Sequence, residues 1–444
     1  MSDSKKKGDV TDYYVSLHKT FEKSLNGSGK IPFNKVRKEA LASFAEQGFP
    51  TKRNEYYKYN NFKPLQKQRF EVPGAVKLPS AETVEKLFIP GLESIRVVFI
   101  NGRYVPEFSN LAALPKTVML GSLADLLAVE SPVVYDHLDS YAGFQEDTFI
   151  ALNTAFAQDG LFAHVPEGTV VETPVEALFI SDLSAGGFLN SPRNVVVAEA
   201  NSVFTLIENH VVIGGAESYL NNMVTEIRVD ENARMDHIKI QNEQLESAHH
   251  IHNLRVQQEK GSYYSLVNAD LGGKQVRNNF NAHLGGENCE NHFIGFYMGT
   301  GKQEIDNHTF INHAMPHCES NELYKGILGG KATGIFNGKI YVAQDAQKTN
   351  AYQNNKALLL SDDATINSKP ELEIFADDVK CSHGATVGQL DGEALFYLRA
   401  RGIPEDRANA ILQFAFASDV FSYVKNEAVN QYLNDLVFQR FSHL

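Results

Sequence analysis

The segment Lys380-Cys381-Ser382-His383-Gly384-Ala385-Thr386-Val387-Gly388-Gln389-Leu390-Asp391 sets a thiol and an imidazole two positions apart. On a β-strand residues i and i+2 share a face, so Cys381 and His383 would present both groups on one side. Soft thiolate and imidazole are both competent ligands for iron. Gly384 next to them is expected to permit a turn that a Cβ would hinder. The same residues have a plain structural reading of equal standing, with Cys381 as a small buried hydrophobe and His383 as a hydrogen-bonded corner residue.

A second concentration of chemistry lies upstream. Nine of the 15 histidines fall between His237 and His317, a density that calls for a reason: His249, His250 and His252, then His283 and His292, then His308, His313 and His317 beside Cys318. His250 and His252 would share a strand face and could complete a metal site with a neighbouring coil. The more economical reading is a set of polar ladders that bind nothing, because no fixed ligand spacing is present. Gly299-Thr300-Gly301-Lys302 resembles the end of a phosphate-binding loop, but Gln303 stands where a magnesium-binding Ser or Thr is required and Phe296 where the first glycine is required. There is no GxSxG nucleophile elbow, and no carboxylate pair stands out.

Composition narrows the classes further. Across 444 residues, 41 Lys and Arg oppose 54 Asp and Glu for a net charge of −13, which leaves no electrostatic footprint for nucleic acid. The one basic cluster is Lys5 to Lys7 in a polar N-terminal segment without the apolar stretch of a signal peptide, and no apolar run approaches the roughly 18 residues of a membrane span. The expectation is a cytoplasmic protein with neither a membrane nor a nucleic acid as partner. Three widely spaced cysteines, Cys289, Cys318 and Cys381, support neither a disulfide framework nor a CxxC zinc site.

The elements that must position these residues change character along the chain. Tyr14, Leu17, His18, Phe21 and Leu25 follow a helical period, and a second helix is expected from Asn34 as cap to Gly48, with Leu41, Phe44 and Ala45 on one face. Gly27 to Gly29 marks the loop between them. Ile95 to Phe99, Asn101-Gly102 and Tyr104-Val105 read as a tight hairpin. From Val165 to Gly388 short β runs alternate with polar corners. Val195 to Thr205, Ile227 to His237 and Leu254 to Ser265 share a strand, corner, strand unit, with starts 32 and then 27 residues apart. Leu358 to Ile366 and Leu372 to Val379 repeat it around Asp362-Asp363 and Asp377-Asp378. A parallel β-helix fits this pattern; so does an antiparallel sandwich, in which Asn337-Gly338 would turn a hairpin. Helices return after Gly388. Asp391 is the expected cap of a helix that Gly402 ends, Pro404-Glu405-Asp406 opens another with Phe414, Ala417, Phe421 and Val424 on one face, and Val429, Leu433, Leu436 and Val437 lie on a third. Such helices would cap the open end of a solenoid or dock a partner.

Lys380 to Ile403 as a whole resembles the hallmark segment of the SufB/SufD family of iron–sulfur cluster assembly proteins. The resemblance extends to Phe99-Ile100-Asn101-Gly102, to Ala151 through Phe156 with Asp159-Gly160, to Pro166-Glu167-Gly168 and to Arg53 through Asn60, where Tyr57 and Asn60 replace the family's usual Trp and Thr. It implies a mainly β protein: a right-handed parallel β-helix core with helical regions at both ends. The corresponding division is an N-terminal helical region at 1–94, a mixed α/β lead-in at 95–164, the β-helix at 165–388 and a C-terminal helical domain at 389–444.

The resemblance also implies a non-enzymatic scaffold that pairs with SufB and binds the SufC ATPase, which would supply nucleotide hydrolysis in trans. His383 and Cys381 are the implied ligands of a nascent iron–sulfur cluster shared transiently with SufB, with no tightly bound cofactor. Asp391, Leu395, Phe396, Tyr397, Arg399, Arg401 and Gly402 are the implied SufC-facing residues. A cysteine count of three places the chain nearer SufD-type than SufB-type members. An exposed SufB-facing surface would favour a homodimer when the partner is absent. The alternatives are a SufB-type scaffold, a β-helix carbohydrate lyase or hydrolase, and a histidine-rich metal-storage module.

Overall fold

The computed structural model describes residues 8–25, 31–74 and 77–441. The Lys5 to Lys7 cluster and the Gly27 to Gly29 loop lie outside the described residues.

Two ten-stranded sheets face one another, and the chain alternates between them as it climbs. In one, strands Val203–Ile213, Arg234–Asn242, Tyr263–Asp270, Glu290–Gly299, Glu319–Leu328, Asn350–Leu359 and Lys380–Gly388 are parallel neighbours. In the other, Tyr219–Val229, Ala248–Gln258, Gln275–Leu284, Glu304–His313, Thr333–Val342 and Thr365–Ile374 are. Skipping one strand at every step is the topology of a parallel β-helix, with about eight turns. The sandwich alternative fails at its own turn, because Asn337 and Gly338 lie in the middle of the continuous strand Thr333–Val342.

The variable repeat length has a mechanical basis. Each coil turns one corner on a residue with φ near +60°: Asn201, Asn232, Gly261, Asn288, His317 and Lys348. The backbone N–H of each donates to a carbonyl of the next coil, as from Asn201 to Glu231 and from Asn232 to Lys260, both at 2.9 Å. Asn and Gly tolerate this left-handed conformation best, which explains the polar corners seen in the sequence. Corners fix the stacking while the return segments vary in length.

Alternate residues on each strand point inward and outward. Inward apolar side chains, among them Leu206, Met235, Leu254, Leu266, Phe280, Ile305 and Phe336, form the central core. The outward faces are apolar as well and need cover. Leu220, Val224 and Ile251 are covered by helices Gly8–Ser24, Phe33–Gln47 and Thr148–Phe156 through Tyr14, Phe21, Phe44 and Phe149. Ile238, Ile240, Val267, Ile294, Phe296 and Ile327 are covered by Glu405–Phe421 and Glu427–Phe441 through Ala417, Phe421, Val429, Leu433 and Val437. The C-terminal helices therefore flank the solenoid. They do not close its end, and the reason is that the apolar surface demanding burial lies on the flank.

Local expectations are corrected in two places. Pro32, not Asn34, stands at the N-cap position of the second helix, and Asn34 faces inward to accept a hydrogen bond from Arg37 at 2.5 Å. Its buried stripe runs Phe33, Arg37, Ala40 and Phe44, while Ala45 is exposed. The Asn101-Gly102 hairpin forms as expected, both residues having positive φ between Ile95–Ile100 and Arg103–Tyr104.

The motif residues of the first half lock the start of the solenoid. Asn153 donates to the carbonyls of Pro192 and Asn222 at 2.9 and 2.7 Å. Asp159 accepts from the N–H groups of Tyr104, Ala124 and Gly160 and from the Ser122 hydroxyl. Tyr57, at the family's Trp position, stacks under the Arg277 guanidinium at 4.4 Å and donates its hydroxyl proton to Asp147. Asn60, at the Thr position, accepts from Arg277 at 2.7 Å and donates to Glu304 at 3.0 Å. Both departures are thus built into the contact that ties residues 53–60 to the outside of the solenoid.

Two predictions follow from this packing. A Cβ at Gly160 would overlap the backbone carbonyl of Arg193 in the adjacent strand, so Gly160→Ala is expected to cost about 1–3 kcal/mol in denaturant unfolding. His313 is buried and donates or accepts at Ser320 at 2.8 Å, and burial pulls its imidazole down to about 4. The unfolded imidazole takes a proton below about 6.5, whereas the folded one stays neutral to about 4. The contribution is therefore complete above pH 6.5 and is lost as pH falls toward 4. Measured against His313→Gln, the wild-type stability should be flat at higher pH and decline by up to about 1.4 kcal/mol per pH unit through that window.

Candidate functional site

The first end of the solenoid is closed by the antiparallel strands Arg103–Tyr104 and Met119–Ser122. At the other end, among the described residues, nothing pairs with the outer edge of Lys380–Gly388 or of Thr365–Ile374. The two edges differ. Thr365–Ile374 carries Lys369, Pro370, Glu371 and Glu373, the charges and proline that blunt an edge against pairing. Lys380–Gly388 has no charged residue after Lys380.

Register places Cys381 beside Ala351, His383 beside Gln353, Ala385 beside Asn355 and Val387 beside Ala357. All four residues of the preceding strand are buried inward-facing positions. Cys381 and His383 thus share the inward side of the final coil, where among the described residues no further coil covers them. Cys381 is half-buried against the core, and burial raises its thiol above the ordinary range. His383 is exposed. Gly384 does not make a turn. It lies within the strand, where a Cβ would crowd the Asn354 amide oxygen at 2.8 Å.

Beneath His383 lies polar interior. Gln353 Nε2 donates to Glu322 Oε2 at 2.6 Å. Burial raises the Glu322 carboxyl to about 7, against the hydrogen bond from Gln353, which lowers it. Lower in the solenoid, Lys239 donates to Asn268, Asp270 and Asn278 within 3.5 Å.

The upstream histidines divide between the two faces. His237, His250 and His252 point into the solenoid, where His237 meets Tyr264 at 2.8 Å, His250 meets Glu243 at 2.7 Å and His252 meets Thr225 at 2.9 Å. His249 and His308 face outward against Gln275 and Asp306. His283 contacts Asn312, His292 contacts Glu290, and His317 occupies a corner. Among the described residues no group of three or more His, Cys, Asp or Glu side chains converges as a metal site. Cys289 and Cys318 are buried on adjacent coils, both thiols donating to the Gly286 carbonyl. No helix among the described residues is long and apolar enough to cross a membrane.

Beyond the final strand, Asp391 caps helix Gly392–Ala400 by accepting from Glu393 N at 2.9 Å, and Gly402 with φ +85° follows the helix's end. These two of the seven partner-facing candidates shape the helix. This helix buries no residue. Leu395 is half-buried, whereas Phe396 is 74% and Tyr397 56% exposed. Arg401 stacks on Tyr397 at 4.5 Å and Arg399 pairs with Glu405 at 2.8 Å. A groove of about 970 Å³ lies alongside, lined by Leu360, Leu390, Asp406, Arg407, Ala410 and Phe438. The exposed Tyr352, Phe375 and Val387 at the open end were not singled out by sequence reasoning. Phe375, between a strand and an acidic corner, was the one with a readable signal.

Comparison with known proteins agrees with this architecture. Residues 9–177 match the family described as SufBD protein N-terminal region, and residues 180–416 match SUF system FeS cluster assembly, SufBD core domain. A Synechocystis protein described as an iron-sulfur cluster assembly SufBD family protein is 35% identical, over 84% of each chain. The iron-sulfur cluster assembly protein SufD of Escherichia coli is 32% identical, over 90% of this chain and 91% of that one. The chloroplastic protein ABCI7 of Arabidopsis thaliana is 29% identical, over 94% and 88%. With both family regions matched along a solenoid that ends on the Cys381 and His383 strand, the chain belongs to the SufBD family of iron–sulfur cluster assembly proteins.

Proposed function

We propose that this chain is a SufD-type scaffold subunit that pairs with SufB through the open end of its solenoid and binds the SufC ATPase through its C-terminal helices. His383 contributes a ligand to a cluster assembled across the pairing surface, and Cys381 is a weaker contributor because burial disfavours its thiolate. Nucleotide hydrolysis comes from SufC, and the cluster is cargo handed onward. The observation that carries this reading is the unblunted edge of Lys380–Gly388. A row of unpaired backbone groups on a strand with no charged residue after Lys380 is a template for another chain, and His383 stands exposed on that strand. Among the described residues neither His383 nor Cys381 has enough neighbours to complete a metal site, so the reading takes further ligands from across the edge. Without SufB, the same edge pairs with a second copy.

The SufC face is assigned to Phe396, Tyr397 and Arg399 on a helix that buries no residue, and to Arg401 at its C-cap. Large aromatic and arginine side chains are the residues that anchor interfaces.

His383→Ala is expected to leave co-purification with SufB and SufC intact while cluster yield on anaerobic reconstitution falls at least about 10-fold; an unchanged yield removes His383 as a ligand. Phe396→Asp should weaken SufC retention by about 2 kcal/mol or more in a titration, with SufB pairing unaffected. Failure of the wild-type chain to retain either partner in a pull-down would refute the scaffold assignment.

A further inference from the structure

The inward face under His383 carries a polar column. Glu322, Gln353 and His383 are register neighbours on three successive strands, and the next position below Glu322 is Phe293. Gln353 is fully buried, and its Nε2 is committed to Glu322 Oε2 at 2.6 Å. Its amide oxygen is buried too and has no hydrogen-bond partner. An amide held by its nitrogen from one side presents its oxygen elsewhere, and the coil on the opposite side of Gln353 from Glu322 is the one that bears His383. A buried carbonyl left without a donor is costly. The imidazole of His383 is the donor that the register sets beside it.

We infer that Gln353, oriented by Glu322, is a positioning residue for His383: once the exposed ring turns inward, the unpartnered amide oxygen accepts the N–H of the imidazole nitrogen nearer the interior and leaves the other nitrogen's lone pair free for iron. This rests on the proposed ligand role of His383. A neutral imidazole offers one lone pair, and the hydrogen bond on its other nitrogen decides which nitrogen that is and how the ring is turned. On the exposed final coil, with no coil above to pack the ring, this hydrogen bond supplies the orientation that packing supplies elsewhere. Such a partner is commonly worth about 10–100-fold in metal affinity.

The test reads the tautomer of His383 directly, in the full chain with 15N-labelled histidine at pH 8, by long-range 1H–15N correlation. The signal is assigned by its loss in His383→Ala. Wild type should show one tautomer. Gln353→Leu, which removes the acceptor, should show a mixture, and so should the isosteric Glu322→Gln, in which two facing amides no longer fix one orientation. Glu322→Gln carries the readout if Gln353→Leu does not fold. In the complex reconstituted with SufB and SufC at limiting iron, each variant should lower cluster yield by about 10-fold. A single unchanged tautomer in these variants, alongside lost cluster yield in His383→Ala, overturns the positioning role and leaves the ligand reading standing. Unchanged yield in His383→Ala overturns both.

Discussion

A coil of a parallel β-helix satisfies its backbone only through the coils above and below it, and the whole structure follows from that constraint. Each strand from Val203–Ile213 to Asn350–Leu359 has a neighbour on both sides, and each corner N–H reaches the next coil's carbonyl. Stacking must stop somewhere, and an unprotected stop is costly or adhesive. This chain closes one end with antiparallel strands and the Asn153 and Asp159 hydrogen bonds. It leaves the other end open and blunts one of the two edge strands there. Both edges carry unpaired backbone, and the one without blunting charges or a proline along its length is the strand that carries Cys381 and His383.

The interior is less oily than a solenoid of this length requires. Lys239 with Asp270, His250 with Glu243 and Glu322 with Gln353 are all buried. Buried charges contribute little net stability even when paired, yet removing one partner leaves the other stranded. Polar ladders of this kind fix register, because a slip of one residue would expose every inward side chain and separate every pair. Two outer faces of apolar residues then demand cover, and the N-terminal and C-terminal helices provide it on opposite flanks. The short helix Gly392–Ala400 buries no residue, and its Phe396 and Tyr397 stay exposed.

The positions where local reading and structure part are informative about cause. Gly384 has the composition of a turn yet sits in a strand, because parallel pairing with Asn350–Leu359 keeps it extended. Asn337-Gly338 has the composition of a hairpin turn, yet parallel pairing on both sides keeps it extended. The C-terminal helices were recognisable from their caps and apolar spacing, whereas their site of docking depended on outward residues scattered over strands from Val203–Ile213 to Glu319–Leu328.

By itself the sequence determined the local conformations: helices with their caps at Asp391 and Gly402, the hairpin at Asn101-Gly102, the strand and corner units, and the two-residue spacing that puts Cys381 and His383 on one face. These depend on backbone preferences and alternation, which act over a few residues. Only the tertiary structure decided that this face lies on the last coil of the described solenoid, that Glu322 and Gln353 lie in line beneath His383, and that eight of the nine clustered histidines separate into inward and outward sets with individual partners while His317 turns a corner. Those relations are set by register between coils about 30 residues apart, and register is fixed by stacking, which no local pattern contains.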